Sequence, residues 1–441
     1  MTTWTDHAIW WHVYPLGFVG AERASGSGAV EHRLDKIIGW LDYAVDLGVS
    51  GLALGPIFAA STHGYDTIDY YRIDERLGDD RDFDRLVAAV HARGLRLLLD
   101  GVFNHVGPQF PAFQRTIEIG PAAPESSWFS PVDPAAEGRV SGPTFRTFEG
   151  HEGLIALNHA ESAVAEYVTD VMSHWLARGA DGWRLDAAYA TPAAFWSKVL
   201  PRIRTAHPDA YLIGEVIHGD YRSIVRGHGL DAITQYELWK AVWSSINDGN
   251  FFELAWSLRR HNALLDTFVP LTFVGNHDVT RIASKLNDER HLAHALVVLF
   301  TVAGTPSVYY GDEQAFRGIK ENRVGGDDDI RPAFPEGGPG ALASYGWPVY
   351  RLHQELIALR RRNPWLHSAV TRPVQLTKTL FSYESVGDSQ RLFVALNIGE
   401  SPVSILAPGC TQLLAGQAHM EHDSPGEERF LLGGHQWAVV A

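Results

Sequence analysis

Short apolar runs alternate with helical patterns along most of the chain, up to about residue 365. Eight of these runs have the length and bounding residues of buried strands, and apolar residues at helical spacing fill most of the intervals. The predicted strands are 9–14, 51–54, 95–100, 182–186, 210–215, 232–238, 271–275 and 307–310. The predicted helices are 34–47, 83–92, 164–178, 192–203, 252–260, 291–302 and 349–361. This rhythm predicts an α/β fold, a (β/α)₈ barrel.

Two regions depart from the rhythm. Residues 103–157 are rich in Pro, Gly and Ser and show little periodicity, which predicts an inserted domain after the third strand. Beyond the last helix, alternating segments at 380–384, 391–397, 403–406 and 436–440 indicate antiparallel strands. The predicted domains are therefore a barrel (1–102 and 158–368), an insert (103–157) and a C-terminal β-sandwich (369–441).

Composition and charge limit the classes of ligand that the protein is expected to bind. The 441 residues carry a formal net charge of −15 and no basic run, which argues against nucleic acid and anionic membranes as ligands. Cys410 is the single cysteine, so no intrachain disulfide can form. The sequence has no signal-like start and no apolar stretch long enough to span a bilayer, so we expect a cytoplasmic protein. Its 14 tryptophans suit either core packing or stacking on sugar rings.

Four predicted strands end in polar clusters that contain a carboxylate. Asp100, Asp186, Glu215 and Asp278 stand at or just beyond the ends of strands 3, 4, 5 and 7. The carboxyl ends of barrel strands all meet at one face, where the active site lies. A single such residue is usually a loop cap, but four together predict one converging site.

These clusters resemble the signature regions of the α-amylase superfamily (glycoside hydrolase family 13). The resemblance covers residues 10 to about 360, and the segment 305–313 is similar to the family's eighth-strand region. The segments 63–70 and 157–158 are most similar to cyclomaltodextrinases and neopullulanases.

The resemblance assigns a role to each carboxyl group of the site. It implies that Asp186 is the nucleophile, that Glu215 is the acid/base, and that Asp278 is the third carboxylate that stabilises an oxocarbenium-like state. It also implies that Arg184, two residues before Asp186, keeps that carboxylate ionised.

The resemblance further implies a set of sugar-binding residues. His105 and His277 would hydrogen-bond sugar hydroxyls, and Tyr65 would form the aromatic platform under the same sugar. Asp327 and Arg331 would form an ion pair at that subsite, although the acidic run around Asp327 also suits a solvated loop.

The sequence departs from the family pattern in three places. Asn104 matches a position that binds Ca²⁺ in many relatives, but the segment 20–28 lacks further Asp and Asn residues, so we expect neither a structural metal nor any other cofactor. The first strand begins by residue 9, so we expect no N-terminal β-domain, and a homodimer stays an open alternative. Ala190 stands where the relatives usually have an acidic residue.

The leading hypothesis is a retaining hydrolase that cleaves α-1,4 links in short or cyclic maltooligosaccharides, with α-1,6 links left open as further targets. Transglycosylation, in which a sugar resolves the covalent intermediate instead of water, is the alternative within the same family. A catalytically inactive barrel that binds sugar or a partner is the alternative from another class. The retention of Asp186, Glu215 and Asp278 argues against it.

Overall fold

The eight barrel strands form one parallel sheet in the computed structural model, which describes residues 4–26, 28–132, 145–323, 325–421 and 428–441. In chain order the barrel strands are Trp10–Val13, Gly51–Leu54, Arg96–Gly101, Gly182–Leu185, Tyr211–Gly214, Ala232–Ile233, Leu271–Phe273 and Thr305–Tyr309. Consecutive strands pair side by side, and strand 8 pairs with strand 1. A parallel bridge between Thr234 and Leu271 joins strands 6 and 7. The predicted barrel is confirmed.

Helices surround this sheet. The longer ones are Leu34–Gly39, Leu41–Leu47, Asp80–Ala92, Ser162–Ala177, Ala193–Ala206, Tyr221–His228, Tyr236–Asn247, Phe252–Leu264, Leu292–Thr301 and Trp347–Arg362, and two short ones are Pro15–Val19 and Ile282–Lys285. A capping box between Asp79 and Asp82 fixes the start of the helix Asp80–Ala92.

Two local predictions were wrong. The helix expected over 34–47 is divided at Trp40, whose backbone leaves the helical conformation while its ring packs against Phe18 and Phe334. The strand expected over 232–238 ends at Ile233, because the side chain of Gln235 caps the new helix Tyr236–Asn247 through the amide of Leu238. Apolar residues suit either a short strand or a buried helix, and periodicity alone could not separate them here.

The strands are short but deeply buried. Alternate side chains, including Trp10, Leu98, Tyr211 and Ile213, fill the barrel interior. The other face of the strands packs against the helices in one continuous apolar core. The barrel is therefore a packed scaffold, and its carboxyl-end residues are held on rigid elements.

The inserted segment begins and ends at the same place on the barrel. The strand His105–Val106 pairs antiparallel with Ile155–Ala156, so both ends of the insert are tied together beside strand 3. Between them lies the helix Pro111–Ile119, with Phe113 packed edge-on against Phe129 and Phe145. Residues 133–144 of the predicted insert lie outside the described residues. We keep the boundaries at 103, 157 and 369 as a proposal.

The C-terminal region consists of two antiparallel sheets, as predicted. One contains Val370–Leu376, Leu380–Val386, Arg391–Asn397, Trp437–Val440 and Leu413–Gly416, and the other contains Val403–Leu406, Arg429–Leu432 and His419–Glu421. Side chains such as Phe393, Ile405 and Phe430 form a small core of their own. Phe381 and Tyr383 instead join the barrel's core, which fixes the first sheet against the helices.

Across the described ranges, no helix combines the length and the apolar character that crossing a bilayer requires.

Candidate active site

Arg184 is the centre of the cluster at the carboxyl end of the barrel. Its Nη1 donates to both oxygens of Asp100 at 2.8 Å and to Oδ1 of Asp186 at 3.0 Å. Its Nη2 lies 2.9 Å from Oε1 of Glu215. Strands 3, 4 and 5 are neighbours in the sheet, so three carboxyl groups that are far apart in sequence contact one guanidinium. The predicted nucleophile and the predicted acid/base therefore lie side by side.

The backbone after strand 4 helps to position Glu215. Ala187 adopts a left-handed conformation, with φ 44° and ψ 40°, directly after Asp186. Its amide donates to Oε2 of Glu215 at 3.1 Å, and the hydroxyl of Tyr236 lies 3.2 Å from Oε1. Asn276 in turn donates to the Tyr236 hydroxyl at 2.9 Å. A non-glycine residue with positive φ is uncommon, and here it turns the chain so that its amide can contact the carboxyl group.

Asp278 is held from the opposite side. Its Oδ1 accepts a hydrogen bond from Nη2 of Arg331 at 3.1 Å, and its Oδ2 lies 2.9 Å from Nε2 of His277. Arg331 also lies 3.0 Å from Oδ2 of Asp327 and donates to the carbonyl of His277 at 2.9 Å. The predicted pair of Asp327 and Arg331 therefore exists and contacts the predicted third carboxylate.

Tyr65 and His277 form a stacked pair beside these carboxyl groups. Their rings are 5.3 Å apart with an angle of 9°, and the Tyr65 hydroxyl contacts Nε2 of His277 and donates to Oδ2 of Asp100 at 3.0 Å. Nδ1 of His277 lies 3.2 Å from Nε2 of the buried His12 on strand 1. The pair thus connects the Arg184 group with the Asp278 group.

His105 lies at the edge of the cluster, where the insert begins. Asn104 presents its amide nitrogen to Nδ1 of His105 at 3.1 Å, and the ring of Phe148 from the insert stacks on His105 at 4.8 Å. Burial lowers the pKa of His105 to about 3, so the ring is neutral at ordinary pH. Its Nε2 is fully buried, and the backbone of Tyr65 lies close enough to the ring to oppose the lowering of its pKa.

Burial dominates the electrostatics of the cluster. It raises the pKa of Asp186 well above its ordinary value, and Arg184 opposes that shift without overcoming it. The pKa of Asp100 is raised for the same reason. Burial also acts on Asp278, but His277 and Arg331 outweigh it and hold the pKa of Asp278 well below its usual range. The expectation that Arg184 keeps Asp186 ionised stays a prediction: Arg184 acts on the pKa of Asp186 in the expected direction, but this guanidinium is shared among three carboxyl groups.

All nine predicted site residues lie in this cluster or at its edge. Asp100 was expected at a strand end but without a role, although it receives the most hydrogen bonds from Arg184. Tyr236, Asn276 and His12 were not predicted as partners of the site. Asn276 adjoins His277 in the sequence and could have been found, whereas Tyr236 and His12 give no local signal.

The Asn104 position suits hydrogen bonding better than a calcium cage. Its amide nitrogen faces His105, and its backbone carbonyl accepts the amide of Leu157 at 3.1 Å. Ca²⁺ requires six to eight oxygen ligands, mostly from carboxylates and carbonyls. The expectation that this position holds no structural calcium stays a prediction.

The sequence of the chain is similar to those of known proteins. Residues 12–338 match the profile of the α-amylase catalytic domain. The chain belongs to the α-amylase family. Over 81% of its length it is 30% identical to a cyclomaltodextrinase of Geobacillus thermopakistaniensis, of which it covers 64%. Over 71% of its length it is 30% identical to an intracellular maltogenic amylase of Bacillus subtilis strain 168, of which it covers 56%. The chain thus spans less than two thirds of these two relatives.

A solved structure matches the whole of this α-amylase family member. It is the cyclic α-maltosyl-(1→6)-maltose hydrolase of Arthrobacter globiformis in complex with cyclic α-maltosyl-(1→6)-maltose. The TM-score is 0.83 at 25% identity, and all of both chains is covered. Barrel, insert and C-terminal sheets therefore all have counterparts in one known enzyme.

Proposed function

We propose that the protein is a retaining glycoside hydrolase that cleaves α-1,4 links in short or cyclic maltooligosaccharides, and α-1,6 links as well. The observation that carries this proposal is the placement of Asp186 and Glu215 on the two terminal nitrogens of Arg184. Retaining glycosidases need two carboxyl groups about 5 Å apart, one to attack the anomeric carbon and one to protonate the leaving oxygen.

In the first step an oxygen of Asp186 attacks the anomeric carbon while the carboxyl group of Glu215 gives its proton to the glycosidic oxygen. The bond to the leaving sugar breaks, and a covalent glycosyl ester forms on Asp186. In the second step Glu215, now a carboxylate, takes a proton from water, and the resulting hydroxide oxygen displaces Asp186. Two inversions restore the α configuration.

The remaining residues support these steps electrostatically. Asp278 carries a firmly negative charge, because His277 and Arg331 lower its pKa, and this charge stabilises positive charge that develops on the sugar ring. His105, at the edge of the cluster, supplies a hydrogen bond to a sugar hydroxyl. Tyr65 offers an aromatic face at the same place, where its ring stacks on His277.

The proposed substrates follow the relatives and the retained carboxyl groups. The cyclomaltodextrinase and the maltogenic amylase point to short or cyclic maltooligosaccharides, and the Arthrobacter hydrolase points to rings that contain a 1→6 link. The presence of all three carboxyl groups argues against an inactive sugar-binding barrel. The intracellular maltogenic amylase supports a cytoplasmic location, and a homodimer is a further proposal that size measurement in solution can test.

The test is a substrate panel with maltotriose, cyclodextrins, pullulan, isomaltose and soluble starch, followed by NMR of the first product. We expect turnover of short or cyclic α-glucans, with the α-anomer appearing first. If the β-anomer appears first, the retaining mechanism is wrong. Products longer than the substrate, formed on addition of a sugar acceptor, would favour transglycosylation over hydrolysis.

A further inference from the structure

A second cluster of ligand atoms lies where the barrel meets the C-terminal sheets. Asp288 and His291 precede the helix Leu292–Thr301, and His435 lies in the turn that joins Arg429–Leu432 to Trp437–Val440. One side-chain nitrogen or oxygen from each of the three residues lies within 4.8 Å of the others. His291 and His435 are 144 residues apart, and their rings stack at 5.2 Å.

The two imidazoles face each other through ring nitrogens. Nε2 of His291 lies 2.9 Å from Nδ1 of His435. Two N–H groups cannot point at each other over this distance, so at least one of these nitrogens presents a lone pair. A single proton can lie between them. A cation that binds nitrogen can take the place of that proton.

The other side of His435 indicates which nitrogen has the lone pair. Its Nε2 lies 2.9 Å from Oε2 of Glu400. The two atoms form no hydrogen bond, but the negative charge of the carboxylate favours the tautomer with the proton on Nε2, which leaves Nδ1 as the atom with the lone pair. Metal-binding histidines usually have such a carboxylate behind the ring, where it orients the ring and raises its basicity.

Asp288 supplies the third ligand atom. Its carboxylate pairs with the side chain of Arg290, and its Oδ1 also accepts the backbone amide of Arg290 at 3.0 Å. The Arg290 side chain is 54% exposed and lies 3.9 Å from Glu400 as well. Arg290 can therefore keep a carboxylate partner when a cation takes its place at Asp288. A binding ion would have to displace part of this ion pair, and exposed ion pairs contribute little to stability.

A similar group elsewhere on the barrel serves as a contrast. His32, Asp79 and Asp82 also lie close together, but the two carboxylates form the capping box of the helix Asp80–Ala92, and Arg85 contacts Asp82. That group has one imidazole in place of two, and both of its carboxylates accept backbone amides at the start of the helix. It therefore offers a single nitrogen ligand.

We propose that Asp288, His291 and His435 bind one divalent transition-metal ion, with Zn²⁺ as the probe, and that the ion ties the barrel to the C-terminal sheets. Two imidazoles and one carboxylate suit zinc, which binds nitrogen at about 2.0–2.1 Å and takes four ligands, the last of them water. They do not suit Ca²⁺, which prefers oxygen ligands. Binding displaces the proton between the two histidines into solvent. The ion would have a structural role, and the chain would also fold without it.

The test uses the full-length chain, freed of any histidine tag and dialysed against EDTA. Isothermal titration with ZnCl₂ should give one site per chain. At a zinc concentration 100 times Kd, the Tm should rise by about 3 °C, as expected for a ligand that binds only the folded state of a chain of this size. Co²⁺ in place of zinc should give the visible absorption of a four-coordinate site.

Three variants separate this site from unspecific binding. His435→Asn, which tolerates the positive φ of 57° at this turn, should abolish the Tm rise. Glu400→Gln, at a side chain that is 82% exposed, should weaken zinc binding about 10-fold, because it removes the carboxylate behind the ring. His32→Gln is the matched control and should bind zinc as the wild type does.

Loss of the zinc effect in His435→Asn, with retention in His32→Gln, supports the site. No saturable binding to the wild type, or equal binding by His435→Asn, would overturn the proposal. If His435→Asn fails to fold, the Glu400→Gln titration decides in its place, and an unchanged Kd there counts against the site. None of these three residues contacts the Arg184 cluster, so turnover is independent of the outcome.

Discussion

Two buried arginines stand near the carboxyl end of the barrel, and their surroundings differ in one respect. Arg184 contacts three carboxyl groups, those of Asp100, Asp186 and Glu215. Arg281 contacts one, that of Asp312 at 2.8 Å, and gives its other hydrogen bonds to the carbonyls of Tyr310 and Ile330 at 2.9 Å. One centre has more carboxyl groups than its cation can neutralise, and the other is balanced.

Under the proposed mechanism, this difference separates the carboxyl groups that carry out the chemistry from a centre that supports the fold. Surplus negative charge in a buried place is costly, and here it lies where a glycosyl cation would develop. The Arg281 centre has no surplus, and the rings of Tyr309 and Tyr310 lie 4.5 and 5.3 Å from its guanidinium. Its bond to the carbonyl of Ile330 holds the segment that presents Arg331 to Asp278. Mutations at the two centres should therefore affect different quantities.

The largest effect is expected from Asp186→Asn. An amide cannot form the glycosyl ester, so kcat should fall by at least about four orders of magnitude. The Tm should stay the same or rise, because the variant removes one of three carboxyl groups from a single guanidinium. Initial rates on the best substrate of the panel, together with differential scanning calorimetry, measure both quantities. A variant that kept a tenth of the wild-type rate would exclude Asp186 as the nucleophile.

The second-largest effect is expected from Glu215→Gln, and its size depends on the leaving group of the substrate. Natural glucans need a proton on the leaving oxygen, so the first step should slow by about 10²- to 10⁴-fold. An aryl glycoside with a good leaving group needs no such proton, so its burst of aryl release should slow much less. Stopped-flow measurement of that burst is required, since the second step also uses Glu215. Equal first-step losses on both substrates would remove Glu215 from the role of general acid.

The sequence predicted most residues of the Arg184 centre, but it did not predict how their charges balance. Asp186, Glu215 and Asp278 could be found because each follows a short apolar strand, and barrel topology brings strand ends together. The third partner of Arg184, Asp100, stood in the same kind of position but was assigned no role. The raised pKa of Asp186 depends on how much solvent the folded cluster excludes, and that is a property of packing which no local pattern contains. The Arg281 centre was not predicted, because a balanced buried pair has no sequence signal beyond its two residues.

The third prediction concerns stability at the balanced centre. Asp312→Ala leaves the buried guanidinium of Arg281 without its carboxylate, which should cost about 3–5 kcal/mol of unfolding free energy. For a chain of this length, that loss corresponds to a fall in Tm of about 3–5 °C. The folded variant should keep most of its turnover, because Asp312 does not contact the Arg184 group. If turnover fell as far as in Asp186→Asn while the Tm stayed constant, the proposed division between the two centres would be wrong.

The smallest effect is a dependence of stability on pH that arises at Glu313, beside the Arg281 centre. Burial raises the pKa of Glu313, next to Asp312, to about 7. The folded state therefore holds this proton more tightly than the unfolded state, in which the carboxyl group titrates near 4.5. The stabilisation is fully present below pH 4.5 and is lost as the pH rises through about 7. At Asp278 the pKa is lowered, so its contribution is instead lost as the pH falls.

Glu313→Gln cannot titrate, and its loss of unfolding free energy between about pH 5 and pH 8 should be smaller than the wild type's by about 2–3 kcal/mol. Urea unfolding at the two pH values measures this difference, and identical pH dependence in both proteins would show that Glu313 is already ionised in the folded state at pH 5.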